Sequence, residues 1–196
     1  MNKKYILAIP LVLALITVAY VTGINAGSSA VPNTEVSEGL HWDGYVTVVK
    51  TDGKTGEKTI LADGKHNTMT DIGVDAIKQA IGNGSSSGDV AYNYIALGNS
   101  TLPAKGDTSL TGEILLNGLT RQIAAYTDAG VGNWSLSTTW TTSGTVEGTG
   151  ILVNTSGVFN TSVGGTGYLA GAEFTDAQLQ NDDTINVVWQ FNCTGG

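Results

Sequence analysis

The sequence predicts an all-β fold: a single antiparallel β-sandwich, of jelly-roll or immunoglobulin-like type, with one short helix, behind an N-terminal signal peptide or hydrophobic segment. Three observations predict it. Val and Thr, which favour strands, recur in short runs, some of them strictly alternating apolar with polar residues. Gly, Asn, Asp and Ser separate those runs, and Gly alone fills 27 positions. Beyond the N-terminus, a single stretch carries apolar side chains at helical spacing. The composition excludes other classes. With 41% hydrophobic and 13% charged residues, the chain has neither the low hydrophobicity nor the charge density of a disordered protein. It lacks the Ala, Glu, Lys and Leu enrichment of a coiled coil. A net charge of −8 with one arginine, Arg121, gives no basic face for nucleic acid. A length of 196 residues fits one domain.

The elements follow in order. GYVTVVK (44–50) and KTILA (58–62) are strand candidates joined by the turn-rich TDGKTGE (51–57), a hairpin. Thr70 is placed to N-cap a helix running to Ile81, with Ile72, Ala76, Ile77 and Ala80 on its apolar face. GNGSSSG (82–88) stops it as a flexible loop. Five further strands are expected at 92–98, 119–127, 133–141, 167–175 and 184–193. Alternation is cleanest in two of these. Trp134, Leu136, Thr138 and Trp140 share one face, as do Ile185, Val187, Trp189, Phe191 and Cys193. A period of two over that length means one face on a core and the other in water. Cys193 stands alone, so the chain has no internal disulfide, and it reads as a small apolar residue at the end of the last strand.

The N-terminus has the layout of an export signal. Lys3 and Lys4 give a positive start, Tyr5 to Val21 is an uncharged apolar run, and Ala26 offers a small residue at a cut before Gly27. Seventeen apolar residues also reach the lower edge of a membrane span, so an uncleaved anchor over 5–21 is the alternative, and any membrane contact is expected there only. A type IV pilin leader would place Gly or Ala before the apolar run, whereas here Tyr5 follows Lys4 directly. The expected organisation is a signal peptide at 1–26, a small, polar tail at 27–43 and a β-sandwich domain at 44–196.

Catalytic patterns are missing. The two histidines, His41 and His66, have no G-x-S-x-G elbow to serve, and no H-E-x-x-H, C-x-x-C or phosphate loop occurs. The acidic turns at Asp182–Asp183 and Asp52–Glu57 offer oxygen ligands without calcium-loop spacing, and read as solvated turn residues. The sequence therefore predicts no enzyme, no cofactor and no metal. One motif does exceed background. N-x-[ST] acceptors for glycans occur at Asn83, Asn99, Asn133, Asn154, Asn160 and Asn192, and Asn83, Asn99 and Asn154 read as loop sites.

The segments KHNTMTDIGVDAIKQAI, YNYIALGNSTLPAKGDTSLTGEI, ILVNTSGVFN and LAGAEFTDAQLQNDDTINVVWQF, spanning about residues 65–191, resemble phage tail and virion structural proteins. The shared features are an HN-x-x-T-x-x-G segment before a short helix, an iALG strand, a DT-x-L-x-x-E loop and a GvFN turn. The export signal departs from that family, whose members assemble in the cytoplasm. In architecture, an exported, sequon-rich, cysteine-poor β-domain is similar to the subunits of archaeal surface threads and bundling pili, which that resemblance implies are joined by donor strands.

These readings lead to an expected function: a secreted structural subunit of an extracellular, pilus-like filament that polymerises with itself by donor-strand complementation. Val31, Thr34, Val36, Leu40 and Trp42 would be the donated side chains, because the tail has no place in a hairpin. The alternatives are an anchored or secreted adhesin or carbohydrate-binding domain using aromatics such as Trp42 or Trp134, and a virion or tail structural protein. Cleavage at Ala26 has a direct readout. Intact mass of native protein is expected to lack the first 26 residues, and a mature chain starting at Met1 would establish the anchor instead.

Overall fold

A computed structural model describes residues 41–82, 91–163 and 167–194. Residues 1–40, which hold the expected signal peptide and most of the expected tail, and residues 83–90, in the stretch expected as a flexible loop, lie outside the described residues. Within them the order is β1 (His41–Thr51), β2 (Lys58–His66), β3 (Thr68–Met69), α1 (Asp71–Gly82), β4 (Tyr94–Gly98), β5 (Gln122–Ile123), β6 (Ala125–Asp128), β7 (Asn133–Thr141), β8 (Ile151–Phe159), β9 (Tyr168–Leu179) and β10 (Thr184–Thr194). These strands make two antiparallel sheets, one ordered β2-β1-β10-β7-β6 and the other β3-β9-β8-β4-β5.

The first sheet follows the alternation legible in the sequence. Val46 and Val48 of β1, Leu136 and Trp140 of β7, and Ile185, Val187, Trp189 and Phe191 of β10 are buried on its inner face. Intervening residues such as Thr47, Asn186 and Gln190 are half-buried or exposed. β10 lies at the centre, with Val48 opposite Val187 on one side and Trp189 opposite Leu136 on the other. The second sheet is covered on both faces over the second half of β8 and the first half of β9. Thr155 to Phe159 of β8 and Tyr168 to Ala172 of β9 are buried without a break. One face of this sheet joins the main core through Ile95, Leu97, Val153, Val158 and Leu179. Against the other, Leu110 packs with Ala96, Phe159 and Tyr168 in a second cluster. The loop that carries Leu110 is held by Arg121, whose guanidinium forks onto Glu113 (2.5 and 2.8 Å) and lies 3.6 Å over the Phe159 ring.

Helix α1 begins as its sequence predicts. The Thr70 hydroxyl accepts the N–H of Gly73 at 3.1 Å, an N-cap, and also donates to the carbonyl of Tyr168. Gly73 is required there, because a Cβ would lie 2.3 Å from the Leu169 carbonyl oxygen of β9.

Three expectations are corrected. The strand expected over 119–127 divides at Ala124 into β5 and β6, which belong to different sheets. Residues 151–159, read for the GvFN turn and not as a strand, form β8 near the middle of the second sheet. β1 begins at His41, so Trp42 pairs with Cys193 of the same chain and belongs to the domain, not the tail. At β2–β3 the chain likewise passes between sheets, across Asn67. Both lateral margins of the sandwich are therefore crossed by a continuous extended segment.

The acidic turns are also structural. Asp52 caps its own turn, accepting from the N–H groups of Lys54 and Thr55. Asp183 is only 2% exposed and sits where β9 crosses to β10 in the other sheet. Its carboxylate accepts from the N–H of Gly53 and of Gln180, each at 2.9 Å, and pairs with the Lys50 ammonium at 2.9 Å. Burial pushes its pKa up, but the bonds from Gln180, Lys50 and Gly53 outweigh that and hold the carboxyl below the usual aspartate value. A lowered folded-state value stabilises the fold above the ordinary value of 3.8, and that contribution is lost as pH falls through the folded value. Asp183→Ala is expected to lower unfolding free energy by about 3 kcal/mol in urea melts, because it removes the counter-ion of Lys50 and leaves the N–H groups of Gly53 and Gln180 without their acceptor. The variant is also expected to lose part of the acid-induced destabilisation below about pH 4 that the unaltered protein shows.

Candidate functional site

Function in this chain has three kinds of candidate side chain: the donor residues and aromatics, the sequons, and the two histidines. Val31, Thr34, Val36 and Leu40 lie outside the described residues. Trp42 is half-buried at the start of β1, edge-on to Trp134 with ring centroids 5.3 Å apart. Trp134 in turn stacks on Phe191 at 5.2 Å. Both tryptophans proposed as adhesive aromatics are thus part of an internal aromatic row, extended by Trp189.

The sequons divide by environment. Asn83 lies outside the described residues. Asn99 is exposed just after β4, and Asn133 is exposed at the first position of β7. Asn154 is not in a loop but within β8, where its amide donates to Asp176 at 3.2 Å and its Oδ1 is buried. Asn160 follows β8 with a buried Oδ1 packed against Gly167. Asn192 sits in β10 between β1 and β7, again with a buried Oδ1.

The histidines come together, which the sequence reading missed. His41 and Asp43 are alternate residues of β1 and share its outer face with Tyr45, and His66 of β2 lies opposite Tyr45. His41 Nε2 is 3.3 Å from one oxygen of Asp43, and His66 Nε2 is 3.2 Å from the other. His66 Nδ1 lies 2.8 Å from the carbonyl of Asn67, and its ring meets the Tyr45 ring edge-on at 5.3 Å. The missed signal was the His-x-Asp spacing: starting the strand at Gly44 left both residues in the tail. Cys193, opposite Trp42, is a free thiol. Among the described residues, no group of three or more His, Cys, Asp or Glu side chains is placed to hold a metal ion. No helix among them is long and apolar enough to cross a membrane.

No family model matches the chain, and no curated protein or solved structure matches it either. None of these comparisons links the chain to phage tail and virion proteins or to archaeal threads.

Glycan occupancy should follow exposure. Glycopeptide mass spectrometry of native protein is expected to find sugar at Asn99 and Asn133, and none at Asn154, Asn160 or Asn192, whose amides are held in packed strands or corners.

Proposed function

We propose that the protein is a secreted structural subunit of an extracellular filament, joined to the next copy by strand addition from the segment ahead of β1. The observation that carries this reading is the start of β1. Trp42 is anchored on the inner face, and Val36 and Leu40 share its parity in the sequence, with Glu38 between them, so these two apolar side chains would fall on the side of Trp42 if the segment were extended.

The sheet margins favour one acceptor. β2 is guarded by Lys58 and Lys65 and by irregular register with β1, and β3 and β5 are two residues long. These are the usual defences of an edge. β6 has none of them: all four residues are exposed, with no lysine, proline or bulge. Tyr126 pairs with the buried Leu136 on the core-facing side, yet is itself 64% exposed. A donated strand there would cover Tyr126 and place its own apolar side chains beside it. Such a contact joins unlike surfaces, so it propagates as an open filament. Within the two-sheet architecture we favour a nearly closed, barrel-like variant over jelly-roll or immunoglobulin order, since continuous segments cross both margins. Sugar on exposed asparagines would keep a surface with few charges soluble. The sequence offers neither a basic face for nucleic acid nor a catalytic motif.

Electron microscopy of purified protein tests the reading. Chains starting at Gly27 are expected to form filaments, and deletion of 27–40 is expected to leave folded monomers. Tyr126→Lys should abolish filaments, whereas Ile60→Lys on β2, equally exposed, should not. Filaments from the truncated chain would overturn strand donation, and filaments from Tyr126→Lys alone would overturn only the choice of β6.

A further inference from the structure

Every pairing in the first sheet is antiparallel, and that fixes which way each strand points. One end of the sheet carries His41 at the start of β1, Thr194 at the end of β10, Asn133 at the start of β7 and Asp128 at the end of β6. The other end carries Thr51, Thr184 and Thr141, side by side in the ladder. The N-terminal segment therefore joins β1 at the first end, and β6 runs toward that same end. A segment that reaches β6 from its own domain must turn back past β10 and β7, and it then runs parallel to β6. A segment that keeps the direction of β1, and comes from a copy beyond the other end, runs antiparallel to β6.

We propose, resting on the reading that the segment ahead of β1 is donated to β6, that it adds antiparallel as a sixth strand, so that copies stack head to tail along the strand direction. Antiparallel pairing is all this sheet uses, and it is slightly the more stable per residue. It also fixes the relation between copies. For its segment to run against β6, the donating copy must point the same way as the acceptor. A two-fold axis across the strands reverses the donor and makes its segment parallel to β6. A two-fold axis along the strands leaves both copies level, each segment pointing away from the other's β6. Antiparallel addition therefore admits no closed reciprocal dimer, and a polar, open filament is what remains.

The spacing favours one register. Val36 is five residues before His41, a rise of about 17 Å when extended. Leu136, opposite Tyr126, lies the same number of residues from Thr141 at the far end of β7. Placing Val36 beside Tyr126 brings His41 of the donor level with Thr141 of the acceptor, so the two sheets meet end to end without overlap. The axial step is then the length of β1, about 33 Å. The added strand lies four strand spacings from β1, about 19 Å, so successive copies also step or turn sideways.

Filaments of chains starting at Gly27 test the arrangement in two ways. Fibre diffraction is expected to place the reflection at about 4.8 Å, the spacing between strands, on the equator, and electron microscopy to give an axial step of about 33 Å per copy. A 4.8 Å reflection on the meridian would set the strands across the axis and overturn the stacking. Cysteine pairs in a Cys193→Ser background read the polarity, because the proposed register sets Thr34 opposite Asp128. Oxidised Thr34→Cys/Asp128→Cys chains are expected to run as a covalent ladder on a gel without reductant. Glu38→Cys/Asp128→Cys chains are expected to run as monomers without a bridge, since antiparallel pairing holds those positions about 13 Å apart. Parallel addition would instead bring Glu38 beside Asp128. A bridged Glu38→Cys/Asp128→Cys monomer would show the segment folded back on its own domain, and covalent dimers alone would show a reciprocal pair; either overturns the proposal. Filaments without the Thr34→Cys/Asp128→Cys ladder overturn this geometry but not strand donation, whereas failure to form filaments overturns both.

Discussion

The buried Asp183 carboxylate is the interaction on which the arrangement of the two sheets depends. β9 belongs to one sheet and β10 to the other, so the short turn at Asn181–Asp183 must redirect the chain across the core. Asp182 takes a positive φ of 65° to make that turn. The two oxygens of Asp183 then take up Gly53 from the β1–β2 turn, Gln180 from the end of β9 and Lys50 from β1. Its carbonyl receives the N–H and hydroxyl of Thr142, just beyond β7 (2.9 and 3.0 Å). Parts of four strands are thereby fixed relative to one corner. An asparagine could present one acceptor oxygen where three donors converge, and would carry no charge to balance Lys50. The position needs a carboxylate, and the cost of burying it is met by a complete set of partners.

What was legible in the sequence follows from how many faces of each sheet meet water. The first sheet has one wet face, so β1, β7 and β10 announce themselves by alternation, as with Ile185, Val187, Trp189 and Phe191. The second sheet is packed on both faces over the second half of β8 and the first half of β9, and there the strands lose that signature. Thr155, Ser156, Gly157, Val158 and Phe159 read as a mixed run because each is buried for a different local reason. Ser156 receives the Trp189 indole N–H at 3.2 Å, and Gly157 leaves room for the Tyr168 ring, which a Cβ would meet at 2.6 Å. Sheet switching was equally hidden. Ala124, which divides β5 from β6, is an ordinary residue whose N–H bonds the Asn93 carbonyl at 2.7 Å, and no turn residue marks it.

The single arginine illustrates a related limit. Its scarcity bears on charge alone and says nothing about where Arg121 would sit. The structure places it in the layer over the second sheet, with a fork onto Glu113 and a contact on Phe159, which itself stacks on Tyr168 at 4.8 Å. The loop between β4 and β5 is thereby an integral cover of the sheet. Without it, Phe159 and Tyr168 would lose the cover of Leu110.

Sites assembled from register are the hardest to read from a sequence, and the histidine cluster is of that kind. His41 and Asp43 can be put on one face of β1 by counting alternate residues. His66 joins them only because β2 pairs with β1 through an irregular register that sets it opposite Tyr45. A one-residue slip would turn it to the other face of the sheet and away from Asp43. The sequons obey the same logic in reverse: the N-x-[ST] pattern is met at both Asn133 (Asn-Trp-Ser) and Asn192 (Asn-Cys-Thr), which lie directly opposite each other in the β7–β10 ladder. Asn133 is exposed at the start of a strand, while the Oδ1 of Asn192 is enclosed between two neighbouring strands. The pattern common to the two positions does not separate an accessible asparagine from an enclosed one; their places in the ladder, at the start of β7 and inside β10 between two neighbours, do.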